Sequence, residues 1–323
     1  MLNPNSVSAT IVFAAGQLAE HGRCLFFDDV EAGLGREGYN DENVAVVRAD
    51  SIQSLDQVLQ SVPAQGVILD VDLPLTSTSR EPDYAALDRT LLRLRTQVGA
   101  PRVAVLPLVS PSGGSSYLVR DMQQWARFYV FGNEGITDYH PRLCRALINY
   151  CLQDQRVDRF ANERANKGKN ASGKPLERLV RALFDSIPGF SAILDAQTQG
   201  FPQVQVDVLV ENGRNAGLYR LSPDRLGEWI FAECKDYTGH KPAYEVLIKI
   251  IEVQKFINGC KSCVLVSPNG FTDNIRLLRA VFARDGFLVC LVDNDLLQPW
   301  IIAVDRKMAF ESIIISNQTL GAV

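Results

Sequence analysis

Val204-Gln205-Val206-Asp207-Val208-Leu209-Val210 and, further on, Trp229-Ile230-Phe231-Ala232-Glu233-Cys234-Lys235 decide how the second half of this chain folds. Both runs are rich in β-branched and aromatic residues, and the span between them holds Gly, Asn, Arg, Ser and Pro, so a long hairpin is expected. Successive residues of a strand point to opposite sides. Glu233 and Lys235 therefore share one side and Cys234 takes the other. If the strands pair, Asp207, a lone acid among apolar residues, joins Glu233 and Lys235.

Two carboxylates beside an ammonium suit metal-assisted hydrolysis of a phosphodiester. Hard oxygen ligands hold Mg²⁺, which keeps several waters. The cation polarises the phosphate and lowers the pKa of a bound water. A fixed Lys adds positive charge where the transition state needs it. Without a cation the two acids repel, and a pKa rises.

Asp207, then Glu233-x-Lys235 one hairpin later, resembles the PD-(D/E)xK nuclease superfamily, in its Mrr-like restriction endonuclease branch. The flanks extend the likeness over roughly residues 170–295. Gly173-Lys174-Pro175-Leu176-Glu177 opens an amphipathic helix, where that branch places a helix Glu. A helix over 243–258 carries Gln254. After the strand Cys263-Val264-Leu265-Val266 comes Ser267-Pro268-Asn269-Gly270-Phe271-Thr272, like the Phe-Thr turn that opens the next helix in that branch. The Pro that often precedes the first acid is replaced by Val206. The resemblance implies a restriction-endonuclease-like α/β domain. Asp207, Glu233, Lys235, Glu177 and Gln254 would be its catalytic set, with Asp207, Glu233 and Glu177 on Mg²⁺ (or Mn²⁺) and DNA as substrate. From the residues alone, Glu177 is either a third metal-side carboxylate, the reading favoured here, or an ordinary first-turn acid favoured by the helix dipole.

At 323 residues the chain is long enough for about two domains. Its formal charge of −4 argues against a general nucleic-acid coat, but the charge is uneven. Residues 1–155 hold 12 Arg and 18 acids, a balance of −6; residues 156–323 hold 21 Lys plus Arg and 19 acids, a balance of +2. All nine lysines fall in the second part. Phosphate contacts are sought among Lys167, Lys169, Lys174, Lys241, Lys249, Lys255 and Lys261, with strongly salt-dependent binding. Seven cysteines, an odd number mostly in apolar runs, read as reduced structural thiols of a cytoplasmic protein. Cys260-Lys261-Ser262-Cys263 lacks the second pair that zinc requires. No signal-peptide pattern and no apolar run of membrane length is seen.

The first half alternates strands and helices. Strands are expected at Cys24–Phe27, Val44–Val47, Gly66–Leu69, Val103–Leu106 and Phe128–Phe131. Helices are expected over 51–61 with Ser51 as N-cap, over 84–98 with Leu87, Leu91, Leu92 and Leu94 inward, over 116–125, and from Pro141 to about Gln153. Ala9–Phe13 reads as either strand or helix. Such alternation makes a doubly wound parallel sheet, receiver- or flavodoxin-like, with ligands at the carboxyl ends of its strands. Phe27-Asp28-Asp29, Leu69-Asp70-Val71-Asp72-Leu73-Pro74 and Tyr139-His140-Pro141 resemble a response-regulator receiver domain. The resemblance puts Asp70 at the phosphoacceptor place and Asp28 and Asp29 at the Mg²⁺ places. His140 stands where receivers carry Lys, and the hydroxyl residue after the fourth strand is displaced.

The expected order is therefore a receiver-like regulatory or dimerisation domain at 1–155, a polar linker at 156–172 and a nuclease domain at 173–323. A Mg²⁺-dependent DNA endonuclease, homodimeric or larger, resembles bacterial anti-phage effectors that fuse a sensor to a nuclease. Two alternatives stay open. The nuclease half is inert and only binds DNA within a signalling or scaffold protein, or the first half binds a small nucleotide or a protein partner that activates cleavage. Asp293-Asn294-Asp295 reads as turn chemistry, and Ile313-Ile314-Ile315 as an apolar patch for a neighbour.

Overall fold

The computed structural model describes residues 9–16, 44–79, 81–97, 100–106, 118, 120, 122, 128–130, 140–166, 173–187, 190–197, 205–212, 226–236, 241–242, 246, 248, 250 and 257–319. They fall into two compact units, residues 1–152 and residues 153–214 with 219–323. The protein is mixed α/β, with one all-parallel and one mixed sheet.

The first unit is built on five parallel strands, β1 (Ala9–Ala14), β2 (Val44–Ala49), β3 (Gly66–Leu69), β4 (Arg102–Val105) and β5 (Phe128–Val130), in the order 2-1-3-4-5. That is a doubly wound order. β3 and β4 are buried along their whole length, as expected of strands covered on both faces. One face packs Val12, Ala14, Val67, Leu69, Val103 and Val105 against α1 (Ile52–Ser61) and α2 (Tyr84–Thr96). The other packs Ile11, Phe13, Ile68 and Ala104 against Leu147, Ile148 and Cys151 of α3 (His140–Ala165). Gly66 makes the second contact feasible, because a Cβ there would stand 2.2 Å from the Cβ of Cys151. Ser51 caps α1 as expected, in a reciprocal box with Ser54. Of the leucines expected inward on α2, Leu87, Leu91 and Leu94 are buried, but Leu92 is half exposed. At 100° per residue it cannot share the face of both Leu91 and Leu94.

The strand expected at Cys24–Phe27, and with it Asp28 and Asp29, lies outside the described residues. The described strand between β2 and β3 is β1, which ends at Ala14 and is followed by Ala15 and Gly16. Asp70 follows β3 directly, donates its amide to Ala14 O and is buried. The stretch expected as a linker continues α3 as far as Ala165, and Val157 and Phe160 enter the core of the second unit.

The second unit carries a five-stranded sheet of order β10-β9-β8-β7-β6. β6 (Phe190–Gln197), β7 (Gln205–Asn212) and β8 (Trp229–Cys234) are antiparallel; β8, β9 (Cys260–Val266) and β10 (Leu288–Val292) are parallel. The expected hairpin is present as β7 and β8. β6 is an addition, paired along β7 from Phe190↔Asn212 to Gln197↔Gln205. α4 (Lys174–Asp185), α6 (Asn294–Ile302) and α7 (Arg306–Thr319) cover the face that holds Val208, Val210, Ile230, Ala232 and Val264. α5 (Asp273–Arg284) supplies Ile275 to the other face, with Phe231, Cys263, Leu265, Val289 and helical Ile250. Asp293 is the N-cap residue of α6 and Asp295 lies in its first turn, so these acids open a helix, which corrects the expected turn. Ile313 and Ile314 are core residues and only Ile315 is exposed, which corrects the expected surface patch. Arg306, nearly buried, ties α7 inward by donating to Asp154 Oδ1 at 2.7 Å and Ile301 O at 2.9 Å. Among the described residues no helix is long and apolar enough to cross a membrane.

Candidate active site

Asp207 lies where the β7–β8 ladder stops. The last pair is Val208↔Ala232, and continuing that register sets Asp207 opposite Glu233. The next backbone amide of β8 is not left without an acceptor: Cys234 N–H donates to Asp207 Oδ2 at 2.8 Å. A side chain thus replaces a ladder carbonyl, and this fixes the carboxylate against the strand end.

Glu233 and Lys235 share a side of β8, as the period of two requires. Lys235 Nζ donates to Glu233 Oε1 at 2.5 Å. Glu233 is 2 % exposed, so this ammonium is what lets a carboxylate stay at that depth. Backbone bonds hold the row of strand ends together, Lys235 N to Val266 O and Ser267 N to Val292 O. Beside Lys235, Asp236 is held by Arg164 of α3 at 3.3 Å.

The Asp207 carboxyl is pushed up to about 6. Burial is the main cause and the Glu233 charge the second; the Cys234 amide and Lys235 pull the other way, and Glu177 adds a weaker push. A pair of acids that raise one another's proton affinity is the arrangement a divalent cation relieves.

Glu177 stands in the first turn of α4 and is buried. Its Oε2 pairs with Lys174 Nζ at 3.0 Å, an i,i+3 contact that the dipole reading would also give. Among the described residues no three His, Cys, Asp or Glu side chains form a metal cluster. Asp207 and Glu233 come together at the strand ends, and Glu177 pairs with Lys174 on its own helix while its charge still reaches Asp207. Gln254 lies outside the described residues, as do Lys167, Lys169 and Lys255. Lys241 and Lys261 are exposed.

Sequence reading missed two supports of this site. One is the Cys234 amide, whose role depends on where the ladder ends. The other is Ser267, fully buried at the end of β9 in the row with Lys235. Its hydroxyl has no hydrogen-bond partner among the described residues. The cysteines behave as structural thiols. Burial pushes Cys260 up to about 11 and Cys290 to about 12, and raises Cys234 and Cys263 well above the ordinary thiol value.

The raised Asp207 pKa has a stability consequence. Its folded value lies above the unfolded 3.8, so its contribution is full below about pH 4 and is lost as pH rises through about 6. Asp207→Asn should therefore melt above the wild type at pH 7 without metal, by about 1–3 kcal/mol, the two converging near pH 4. Melting curves across that range check it; equal stability at pH 7 would contradict the electrostatic picture.

Compared with known proteins, the chain matches no family model, and no curated protein matches it.

Proposed function

We propose that the second unit is a Mg²⁺-dependent endonuclease acting on DNA. The observation that carries this reading is the juxtaposition of Asp207, held by the Cys234 amide, with the Glu233–Lys235 pair at one end of a sheet. The donor set fits a hard divalent cation. Two carboxylates with water and substrate phosphate are the usual surroundings of Mg²⁺, which needs no cage made wholly of protein. Asp207 Oδ1 and the Glu233 carboxylate would hold it.

The cation, when bound, supplies Lewis acidity toward the phosphate and a more acidic water. The chain's own residues do the rest. Glu233 and Asp207 would fix where the cation sits, and so where a phosphate can meet it. Lys235 offers a fixed positive charge to the oxygen that gains charge at phosphorus. The Cys234 amide keeps Asp207 from swinging away, so the site is organised before substrate arrives. Cutting both strands of a duplex is simplest with two such sites in a two-fold dimer.

The first unit is best read as a receiver-like regulator that does not work through ordinary phosphotransfer. Its strand order and the position of Asp70 after β3 support the likeness. Asp70 is only 1 % exposed, and its Oδ1 accepts from the Asp72 amide at 3.2 Å, which favours a structural carboxylate over a phosphoacceptor.

Incubating supercoiled plasmid with the protein and Mg²⁺ should give linear and nicked DNA, and EDTA should stop it. Mn²⁺ should restore cleavage. Cutting that continues in EDTA would rule out the metal-dependent reading, and no cutting under any divalent cation would favour an inert DNA-binding unit.

A further inference from the structure

The second unit holds a cavity of about 390 Å³ that none of the candidate active-site residues lines. It lies between α5, the end of β10, α6 and α7, and its walls include Phe271, Leu291 and Leu296. Two guanidiniums, those of Arg276 and Arg279, line it with one carboxylate, Asp293.

Arg279 is the unusual member. It is 7 % exposed, yet no carboxylate pairs with it among the described residues. Its Nη1 donates to Asn317 Oδ1 at 2.8 Å, and its Nε is buried without a hydrogen-bond partner among the described residues. Asn317 is itself pinned: Oδ1 accepts from Leu291 N at 2.9 Å, and Nδ2 donates to Leu291 O and Ile313 O. The guanidinium is therefore held in a fixed orientation, its Nε covered by protein. Asp293 does not compensate it. Its Oδ2 stands 3.9 Å from Arg276, and its Oδ1 is buried without a hydrogen-bond partner among the described residues. Burial, helped by the like charge of Arg276, pulls the Arg279 pKa below its ordinary value, although Cys290 opposes this.

A buried cation without a counter-ion is costly, and buried charges in folded proteins are as a rule paired. A guanidinium takes carboxylate or phosphate through charge-assisted N–H bonds, and two guanidiniums line this space. Cavities of this size, apolar with a few fixed polar groups, hold small molecules. We propose that the cavity is a binding site for a small organic anion, its carboxylate or phosphate head at the Arg276 and Arg279 guanidiniums and its apolar body against Phe271, Leu291 and Leu296. A phosphate within a nucleic-acid backbone is a poor candidate, because Arg279 lies too deep for a polymer strand to follow.

Titration calorimetry of the full chain with benzoate, phenyl phosphate, inorganic phosphate and neutral benzamide tests this. At least one aromatic anion should bind, with benzamide at least ~10-fold weaker, the usual worth of a charge-assisted bond. Inorganic phosphate, which lacks the apolar body, should bind more weakly than phenyl phosphate. Arg279→Gln should abolish binding. Because Arg279 also supports Asn317, two gentler variants stand beside it: Arg276→Gln, at an exposed position, should weaken binding several-fold, and Ala280→Trp, on the cavity wall, should block it with both guanidiniums in place. The proposal is overturned if no anion binds, if benzamide binds as well, or if Ala280→Trp leaves binding unchanged. It is overturned equally if Arg279→Gln weakens duplex DNA binding while the small anions never bind. None of these readouts uses nuclease activity, so failure here leaves the reading of Asp207, Glu233 and Lys235 untouched.

Discussion

Lys235→Ala is expected to lower plasmid cleavage by at least ~10²–10³-fold, the usual effect of removing one charge aimed at a transition state. Asp207→Ala and Glu233→Ala should do the same or more, since each removes half of the proposed metal-binding pair. Two effects must be kept apart for Lys235. Its ammonium is the partner of a carboxylate that is 2 % exposed, so its loss also leaves Glu233 deep in the protein without that charge. Breaking such a pair can cost ~3–5 kcal/mol. The double variant Lys235→Met with Glu233→Gln removes both charges and should regain most of the stability but none of the activity. Cleavage measured well below each variant's melting transition, with circular dichroism as the check on folding, separates the two. Wild-type cleavage in any of the single variants would remove that residue from the site.

How much of this was legible in the sequence depended on burial pattern. β3, β4, β8 and β9 are strands covered on both faces, so they appear as plain apolar runs. β1 was ambiguous because Ala9–Phe13 is short and, Thr10 apart, apolar, and periodicity cannot divide strand from helix there. β6 went unseen. Its sequence, Phe-Ser-Ala-Ile-Leu-Asp-Ala-Gln, has little strand propensity, and its conformation comes from the ladder offered by β7. α7 was obscured for another reason. Its inward stripe runs Arg306, Phe310, Ile313, Ile314, Asn317, helical in spacing but polar at both ends, so hydrophobicity alone made three isoleucines look like a surface patch.

The candidate site divides in the same way. The shared side of Glu233 and Lys235 follows from strand periodicity alone. The position of Asp207 does not, because it needs the register of two strands and the place where their pairing ends. Nor does the sequence reveal that Glu177 is tied to Lys174 on its own helix. The spacing of three was there to be read, but an i,i+3 pair and a metal-side acid look the same until the fold shows whether carboxylates converge.

The largest stability effect is expected at Trp300, fully buried where α6 and α7 meet α4. Its ring lies edge-on to Phe184 of α4 at 5.2 Å and stacks on Phe310 of α7 at 5.1 Å, with Phe184 and Phe310 also edge-on at 5.3 Å. Edge-on and stacked pairs each add ~0.5–1.5 kcal/mol beyond area burial. Trp300→Ala removes two of the three contacts and leaves a void that rigid helices cannot close, so a loss of about 3–5 kcal/mol is expected. The same ring carries a liability, for its indole N–H is buried without a hydrogen-bond partner among the described residues. An orphaned donor costs ~1–3 kcal/mol, and Trp300→Phe removes it while keeping most of the packing. The phenylalanine variant should therefore fall much closer to the wild type than to the alanine variant, within about 2 kcal/mol. Urea unfolding of the full chain, followed by far-UV circular dichroism, measures both. An alanine variant within about 1 kcal/mol of wild type would mean that this cluster does not hold the helices to the sheet. A phenylalanine variant as unstable as the alanine one would mean that the indole nitrogen does find a partner. Because Phe184 shares α4 with Glu177, the alanine variant should also loosen the helix beside the candidate site, and proteolysis near α4 should then precede loss of the strands.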